Sequence, residues 1–354
     1  SKQKKPFLLY TIIIILALVI LALGGLTLYS FQDLASLRSK VTDLQNTVQE
    51  ISDTSAELIS QAKELGSLND QLESSNDSET DSSVDSSQDV QEEGTISPSH
   101  SSESSTDESL NSLLSQIKPL LPQNNGTWSV YVCNLMKNTE GVIDDQPMQA
   151  ASLIKLYIMG AVYEDYDSLS TTYGKETLDN NLNSMITVSD NDAANKLVNC
   201  LGGGDDAAGM ARVNKFCQDH GYTNTSMGRL LLADNSNGDN YTSVKDCGKF
   251  LKTIYQMDKG STAEDTLAGA EYMYHLLKMQ TRTNKIPAQL PEGVKVANKT
   301  GELDTVENDA GIIYDTAKGI DLVVCFMSQD LNDTAAAQNT IAQDSRAIYG
   351  YYNE

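Results

Sequence analysis

From Pro6 to Gln32 the chain carries no charged residue, and Phe7 to Leu28 is almost wholly apolar. As a helix, such a run crosses roughly 30 Å of hydrocarbon. Residues 7–29 are therefore expected to form a transmembrane signal anchor. A seven-residue repeat follows, with Leu34, Val41, Val48, Ser55, Ala62 and Asn69 at one core position and Leu37, Leu44, Ile51, Leu58, Leu65 and Leu72 at the other. Six heptads with a leucine-rich seam predict a coiled-coil stalk over 31–73 and a route to homo-oligomers. Small and polar residues at the later positions of the first set weaken its distal half. An amphipathic helix lying on a neighbouring domain is the alternative use of such a stripe.

The pattern then changes. Residues 74–106 are rich in Ser, Asp and Glu and hold no Lys or Arg, so they bury too little apolar surface to offset the entropy of ordering. They read as a disordered, self-repelling linker. Beyond them, Leu110, Leu113, Leu114, Ile117, Leu120 and Leu121 recur at helical spacing and predict a helix packed on a domain spanning 107–354. Within it, Trp128 to Leu135 reads as a strand, with a hairpin partner from Glu140 to Asp144. Helical patterns cover about 152–166, 191–200, 206–219, 243–257 and 263–280. Strand-like runs at Val294–Lys299, Asp309–Tyr314 and Ile320–Met327 precede a last helix over 333–351. Two strands, a helical block, three strands and a terminal helix make an α+β order, in which terminal helices cover one face of an antiparallel sheet.

Charge settles the orientation. Lys2, Lys4 and Lys5 precede the apolar run and Asp33 follows it, so the positive-inside bias puts residues 1–6 in the cytoplasm and the remainder outside, as a single-pass protein of the cell membrane. A cleaved signal peptide would have a shorter apolar core and a small-residue cleavage site. The net charge of -24 excludes nucleic acid as a partner, because counterion release from phosphates needs a positive patch. Cys133, Cys200, Cys217, Cys247 and Cys325 lie in an exported domain, where disulfides are permitted. Cys133 and Cys325 are placed on neighbouring strands, and Cys200 and Cys217 on neighbouring helices. The odd count leaves at least one thiol unpaired. No Cys-x-x-Cys spacing occurs, and only His220 and His275 accompany the thiols, so neither a metal site nor a cofactor is called for.

The two histidines also lack a Gly-x-Ser-x-Gly elbow, which argues against a Ser-His-Asp hydrolase. A lysine-assisted serine remains. In Ser152-Leu153-Ile154-Lys155 the serine and lysine stand at i and i+3 where a helical pattern opens, so both side chains lie on one face. For Lys155 to accept a proton it must be neutral, a state favoured by burial and by a second cation, for which Lys299 is the candidate. A nucleophile at a helix start also has backbone N–H groups beside it for an oxyanion. The pattern alone is weak: it recurs at Ser60–Lys63 and Ser115–Lys118. Its company distinguishes the third copy. Ser189-Asp190-Asn191 follows it once, and Lys299-Thr300-Gly301 once, at the end of a strand-like run.

This ordered set resembles the three signature motifs of class A β-lactamases and penicillin-binding proteins. The resemblance covers about 107–354 and implies their two-part fold: a five-stranded antiparallel sheet with flanking helices, plus an all-helical half, with the active site between. It implies that Ser152 attacks a β-lactam or the acyl-D-alanyl-D-alanine end of a peptidoglycan stem peptide, while Lys155 takes its proton. Ser189 would relay that proton to the leaving nitrogen, and Asn191 would bind the substrate's side-chain amide. Lys299 and Thr300 would hold its carboxylate, and Gly301 would let the strand approach closely. The backbone N–H groups of Ser152 and Glu302 would form the oxyanion hole.

One departure matters. Where class A enzymes keep a glutamate on an omega-shaped loop to activate the deacylating water, Arg229 to Thr242 offers only Asp234 and Asp239. Slow deacylation is the expectation. Asn298 before Lys299, and the short interval between the first two motifs, suggest a trimmed helical half. The expected activity is thus β-lactamase-like hydrolysis, with a penicillin-binding DD-peptidase or a non-catalytic cell-surface scaffold as alternatives.

Overall fold

The computed structural model describes residues 108–236 and 238–354. The anchor, stalk and acidic linker expected from the sequence lie outside the described residues. Helix α1 (Glu108–Ile117) leads into β1 (Thr127–Asn134) and β2 (Thr139–Ile143). A short strand β3 (Met148–Gln149) and a 3₁₀ turn (Ala151–Leu153) introduce α2 (Ile154–Glu164), α3 (Tyr166–Tyr173), α4 (Lys175–Thr187), α5 (Asn191–Leu201) and α6 (Asp206–Asp219). After β4 (Tyr241–Thr242) come α7 (Val244–Asp258) and α8 (Ala270–Lys278), then β5 (Lys295–Leu303), β6 (Val306–Tyr314), β7 (Leu322–Gln329) and α9 (Thr334–Asn353). The main sheet has the order β2-β1-β7-β6-β5 with every pairing antiparallel, and β3 pairs with β4 apart from it.

Strand alternation divides the interior in two. Tyr131, Cys133, Val323, Cys325 and Met327 face the helical half, where they join one large core with α2 and α4 to α8. Trp128, Val130, Val132, Leu322, Val324 and Phe326 face the other way and are covered by Leu110, Leu113 and Ile117 of α1 and Ile341, Ile348 and Tyr349 of α9.

The structure departs from the sequence expectation at identifiable places. The first helix of the helical half stops at Glu164, and two further helices, α3 and α4, occupy 166–187. Their surfaces are mostly Ser, Thr, Asn and Asp, and only Leu178, Leu182, Met185 and Ile186 carry the apolar face of α4, so the periodic contrast is low. The helix expected over 263–280 begins only at Ala270, because Gly269 turns left-handed (φ 70°) before it. Strand β6 starts three residues before the expected Asp309, since Glu307, Asn308 and Asp309 are buried polar residues whose partners come from elsewhere. All five cysteines are buried free thiols. In register, Cys133 faces Val323 and Cys325 faces Tyr131, so the two residues are diagonal neighbours, about 7–8 Å apart at the backbone rather than directly opposed, and both thiols are free.

Candidate active site

The nucleophile candidate sits where three pieces of chain meet. Ala150 N donates to Asn240 O (2.8 Å), which ties the turn to the strand pair β3–β4. Ala151 then takes a left-handed conformation (φ 47°), a strained state for a residue with a Cβ. Ser152 follows inside the 3₁₀ turn, half-buried, so the expectation that it opens the α-helix is corrected by two residues: α2 begins at Ile154. Strand β5 passes very close. A Cβ on Gly301 would lie 2.8 Å from Ala150 O and 3.2 Å from Ser152 N, so a side chain there would push the strand off the serine.

Lys155 is fully buried and its Nζ donates to Ser189 O (2.7 Å) and Asn191 Oδ1 (2.7 Å). It also lies 3.1 Å from both Ser152 Oγ and Ser189 Oγ. Lys299, also fully buried, reaches the same hydroxyl from β5, donating to Ser189 Oγ (2.8 Å) and Thr300 O (2.8 Å). The middle motif owes its shape to its central residue. Asp190 Oδ1 accepts from Ala193 N (2.7 Å) as the N-cap of α5, while Ser189 adopts φ 62° and turns its hydroxyl and carbonyl to Lys155. The structure thus brings Ser152, Lys155, Ser189, Asn191 and Lys299 together. Of the decoy motif, Ser115 lies on α1 and Lys118 in the 3₁₀ turn that follows it (Lys118–Leu120), where it pairs with Asp144 (3.2 Å).

Burial lowers the Lys155 ammonium from its ordinary range to about 7, opposed by Asp190 and helped by Arg282. The cation anticipated in that role was Lys299. It faces Lys155 across the Ser189 hydroxyl, and burial and the charge of Lys155 hold Lys299 itself well below its usual range. A cluster of two amines around one hydroxyl therefore resists carrying two charges.

Two residues that sequence reasoning missed support the β5 end of the site. Lys285, fully buried, pairs with Glu307 (2.7 Å) and Glu302 (3.0 Å) and donates to Asn308 O (3.1 Å). Arg282 pairs with Glu302 from outside (3.0 Å). Asn308 in turn donates to Gln149 O (2.9 Å) and Ala150 O (3.2 Å), fastening β6 to the serine turn. Asn298 donates to Asp309 Oδ1 (2.8 Å) behind Lys299. No motif marks these residues; their partners are distant in the chain.

The loop after α6 closes the cleft. Asn195 both accepts from Leu231 N (2.9 Å) and donates to Leu231 O (3.1 Å), and Asn240 Oδ1 accepts from Gly228 N (3.0 Å) and Arg229 N (3.2 Å). Arg229 pairs with the buried Asp239 (2.7 Å), whose other oxygen accepts from Gln149 Nε2 (2.9 Å). These bonds outweigh burial and hold Asp239 below the usual carboxylate range, so it is ionised and engaged. The resulting cleft of about 310 Å³ is lined by Ser152, Asn191, Leu231, Asp234, Asn235 and Glu302, among others. Among the described residues no group of three or more His, Cys, Asp or Glu is placed to hold a metal ion. His220 lies away at the end of α6, bonded to Asp265 (2.8 Å).

The family model described as the beta-lactamase enzyme family matches residues 112–176 and 168–352. No curated protein sequence matches the chain. Among solved structures, that of PBP-A is 25% identical, with TM-score 0.57, covering 69% of this chain and 96% of its own. The TLA-1 extended spectrum β-lactamase (21% identity, TM-score 0.56) covers 70% of this chain and 100% of its own. A β-lactamase from Sphaerobacter thermophilus DSM 20745 (19% identity, TM-score 0.53) covers 68% and 95%. With a family match over most of its length and the sheet, helices and cleft described above, this chain belongs to the beta-lactamase enzyme family, as a serine hydrolase of the class A β-lactamase and penicillin-binding kind.

Proposed function

We propose that the domain forms an acyl-enzyme on Ser152 with β-lactams or with acyl-D-alanyl-D-alanine stem peptides, and releases it slowly. The observation that carries this reading is the placement of Ser152 Oγ 3.1 Å from a buried Lys155 amine that loses its charge near neutrality. Once neutral, the amine accepts the hydroxyl proton as Oγ bonds to the carbonyl carbon. The tetrahedral oxyanion forms beside the backbone N–H groups of Ser152 and Glu302. As the carbon–nitrogen bond breaks, Ser189, within reach of both Lys155 and Lys299, passes the proton to the leaving nitrogen. An anionic substrate carboxylate beside Lys299 and Thr300 supplies a counter-charge and favours the ammonium. Asn191, whose Oδ1 is taken by Lys155, turns its amide nitrogen to the substrate's side-chain carbonyl.

Deacylation needs a base for water, and neither carboxylate of the loop is placed as a buried one: Asp239 is engaged, Asp234 is exposed at the cleft and accepts from Ser236 N (2.9 Å), and the wall beside Ser152 holds Leu231. A variant of PBP-A has been solved as an acyl-enzyme with penicillin G, which supports the same first step here. Leu231 favours a second reading, a penicillin-binding DD-peptidase, in which β-lactams are inhibitors. The anchor, stalk and linker would carry this domain outside the membrane. The test is intact mass spectrometry of the protein after exposure to penicillin G. We expect one adduct on Ser152, absent from Ser152→Ala, with chromogenic cephalosporin turnover much slower than acylation. No adduct on the wild type removes the proposal.

A further inference from the structure

At the far end of α2, about 14 Å along the helix axis from Ile154, lies a second and larger cavity of about 650 Å³. One wall is a row of tyrosines. Tyr163 stacks on Tyr166 with centroids 5.6 Å apart and planes 16° from parallel, and on Tyr272 at 6.2 Å and 11°. Core aromatic pairs in the same protein behave differently: Tyr157–Tyr222, Tyr255–Tyr274 and Tyr274–Tyr314 meet at 61–73°. Offset-stacked and edge-on contacts both match the ring quadrupoles. The row instead presents parallel rings, and Tyr272 is 59% exposed.

The rings are held in place. Gly269 lies flush against Tyr163, since a Cβ there would come 2.5 Å from its ring. Tyr166 donates its hydroxyl to Asp179, and the Lys175 ammonium stands 5.7 Å over its face. The lining also includes Asn180, Asn183 and His275, whose side chains make no hydrogen bond to another described residue.

From this we infer a saccharide-binding subsite: the exposed ring of Tyr272, at the end of the stack, takes the apolar C–H face of a pyranose, and Asn180, Asn183 and His275 bond its hydroxyl or amide groups. A cavity of this size with an aromatic wall and a few unpaired polar side chains is the form of a small-ligand site. A quaternary ammonium fits worse, because a cation cage needs rings facing a common point, and Lys175 already occupies one face. The inference goes beyond the acyl-transfer reading and does not depend on it.

Isothermal titration of the full chain with tri-N-acetylchitotriose tests it. We expect saturable binding, weakened at least tenfold by Tyr272→Ala, kept by Tyr272→Phe, and unchanged by Ser152→Ala. Absence of binding to the wild type overturns the inference, as does equal binding by Tyr272→Ala. Loss on Ser152→Ala would move the sugar to the acylation cleft. Tyr272-dependent binding of tetramethylammonium without the trisaccharide would replace the ligand class. Penicillin acylation of Tyr272→Ala at the wild-type rate separates this outcome from failure of the acyl-enzyme proposal or of folding.

Discussion

Lys155 is ringed by four oxygen acceptors in a buried pocket, and its charge state therefore follows pH within the neutral range. If it is the base, the rate of penicillin acylation rises with pH, is half-maximal at about 7 and levels off above it. Stopped-flow acylation from pH 5.5 to 9 checks this; a flat profile contradicts the role. The same shift bears on stability. Between about 7 and the ordinary lysine value of 10.5 the unfolded chain holds a proton on Lys155 that the folded chain has lost, so this group's contribution makes the fold more stable as pH rises through that window. At this scale the sequence was informative about residues that recur as motifs. Three signals of three or four residues pointed to five side chains that do converge, whereas Arg282 and Lys285 act through contacts that only the fold creates.

The loop from residue 223 to 240 shows how an element without regular structure is held. Asn195, Asn214 and Asn240 pair with backbone groups as a strand would, with Asn214 accepting from Met227 N (2.7 Å) and donating to Met227 O (2.9 Å). Side-chain substitution for a ladder leaves no periodic trace, so the loop's path was not legible, although its lack of glutamate was. Leu231, clamped at both its N–H and its carbonyl, is the position from which a base would reach the cleft. Leu231→Glu is expected to shorten the lifetime of the penicilloyl adduct by about tenfold or more, short of the ~10²–10⁴ that an ideally placed base supplies. Release of labelled penicillin measures it, and an unchanged lifetime would show that water is excluded for another reason. The helices α3 and α4 were illegible for a related reason: their polar surfaces mask the period that marks a helix.

Across the whole domain, the sheet is buried on both faces, and the α+β order of elements could be read because strands and helices come in blocks. The polar run at the start of β6 hid part of the sheet, since Glu307, Asn308 and Asp309 are satisfied by Lys285, Gln149, Ala150 and Asn298 rather than by water. The second core depends on α1. Leu113, 2% exposed, packs there far from the cleft. Leu113→Ala is expected to cost about 3 kcal/mol, seen as a melting temperature lower by roughly 6–12 °C, with acylation at 25 °C unaltered. Calorimetry alongside the acylation assay separates the two readouts, and a loss of acylation in the folded variant would show coupling across the sheet.

The five unpaired thiols have a further consequence. Each is buried, and desolvation raises Cys133 and Cys247 to about 12 and raises Cys200, Cys217 and Cys325 as well, so little thiolate exists to react with oxidants, disulfide exchangers or heavy metals. Because no disulfide crosslinks the fold, its melting temperature is expected to be the same with and without a reductant.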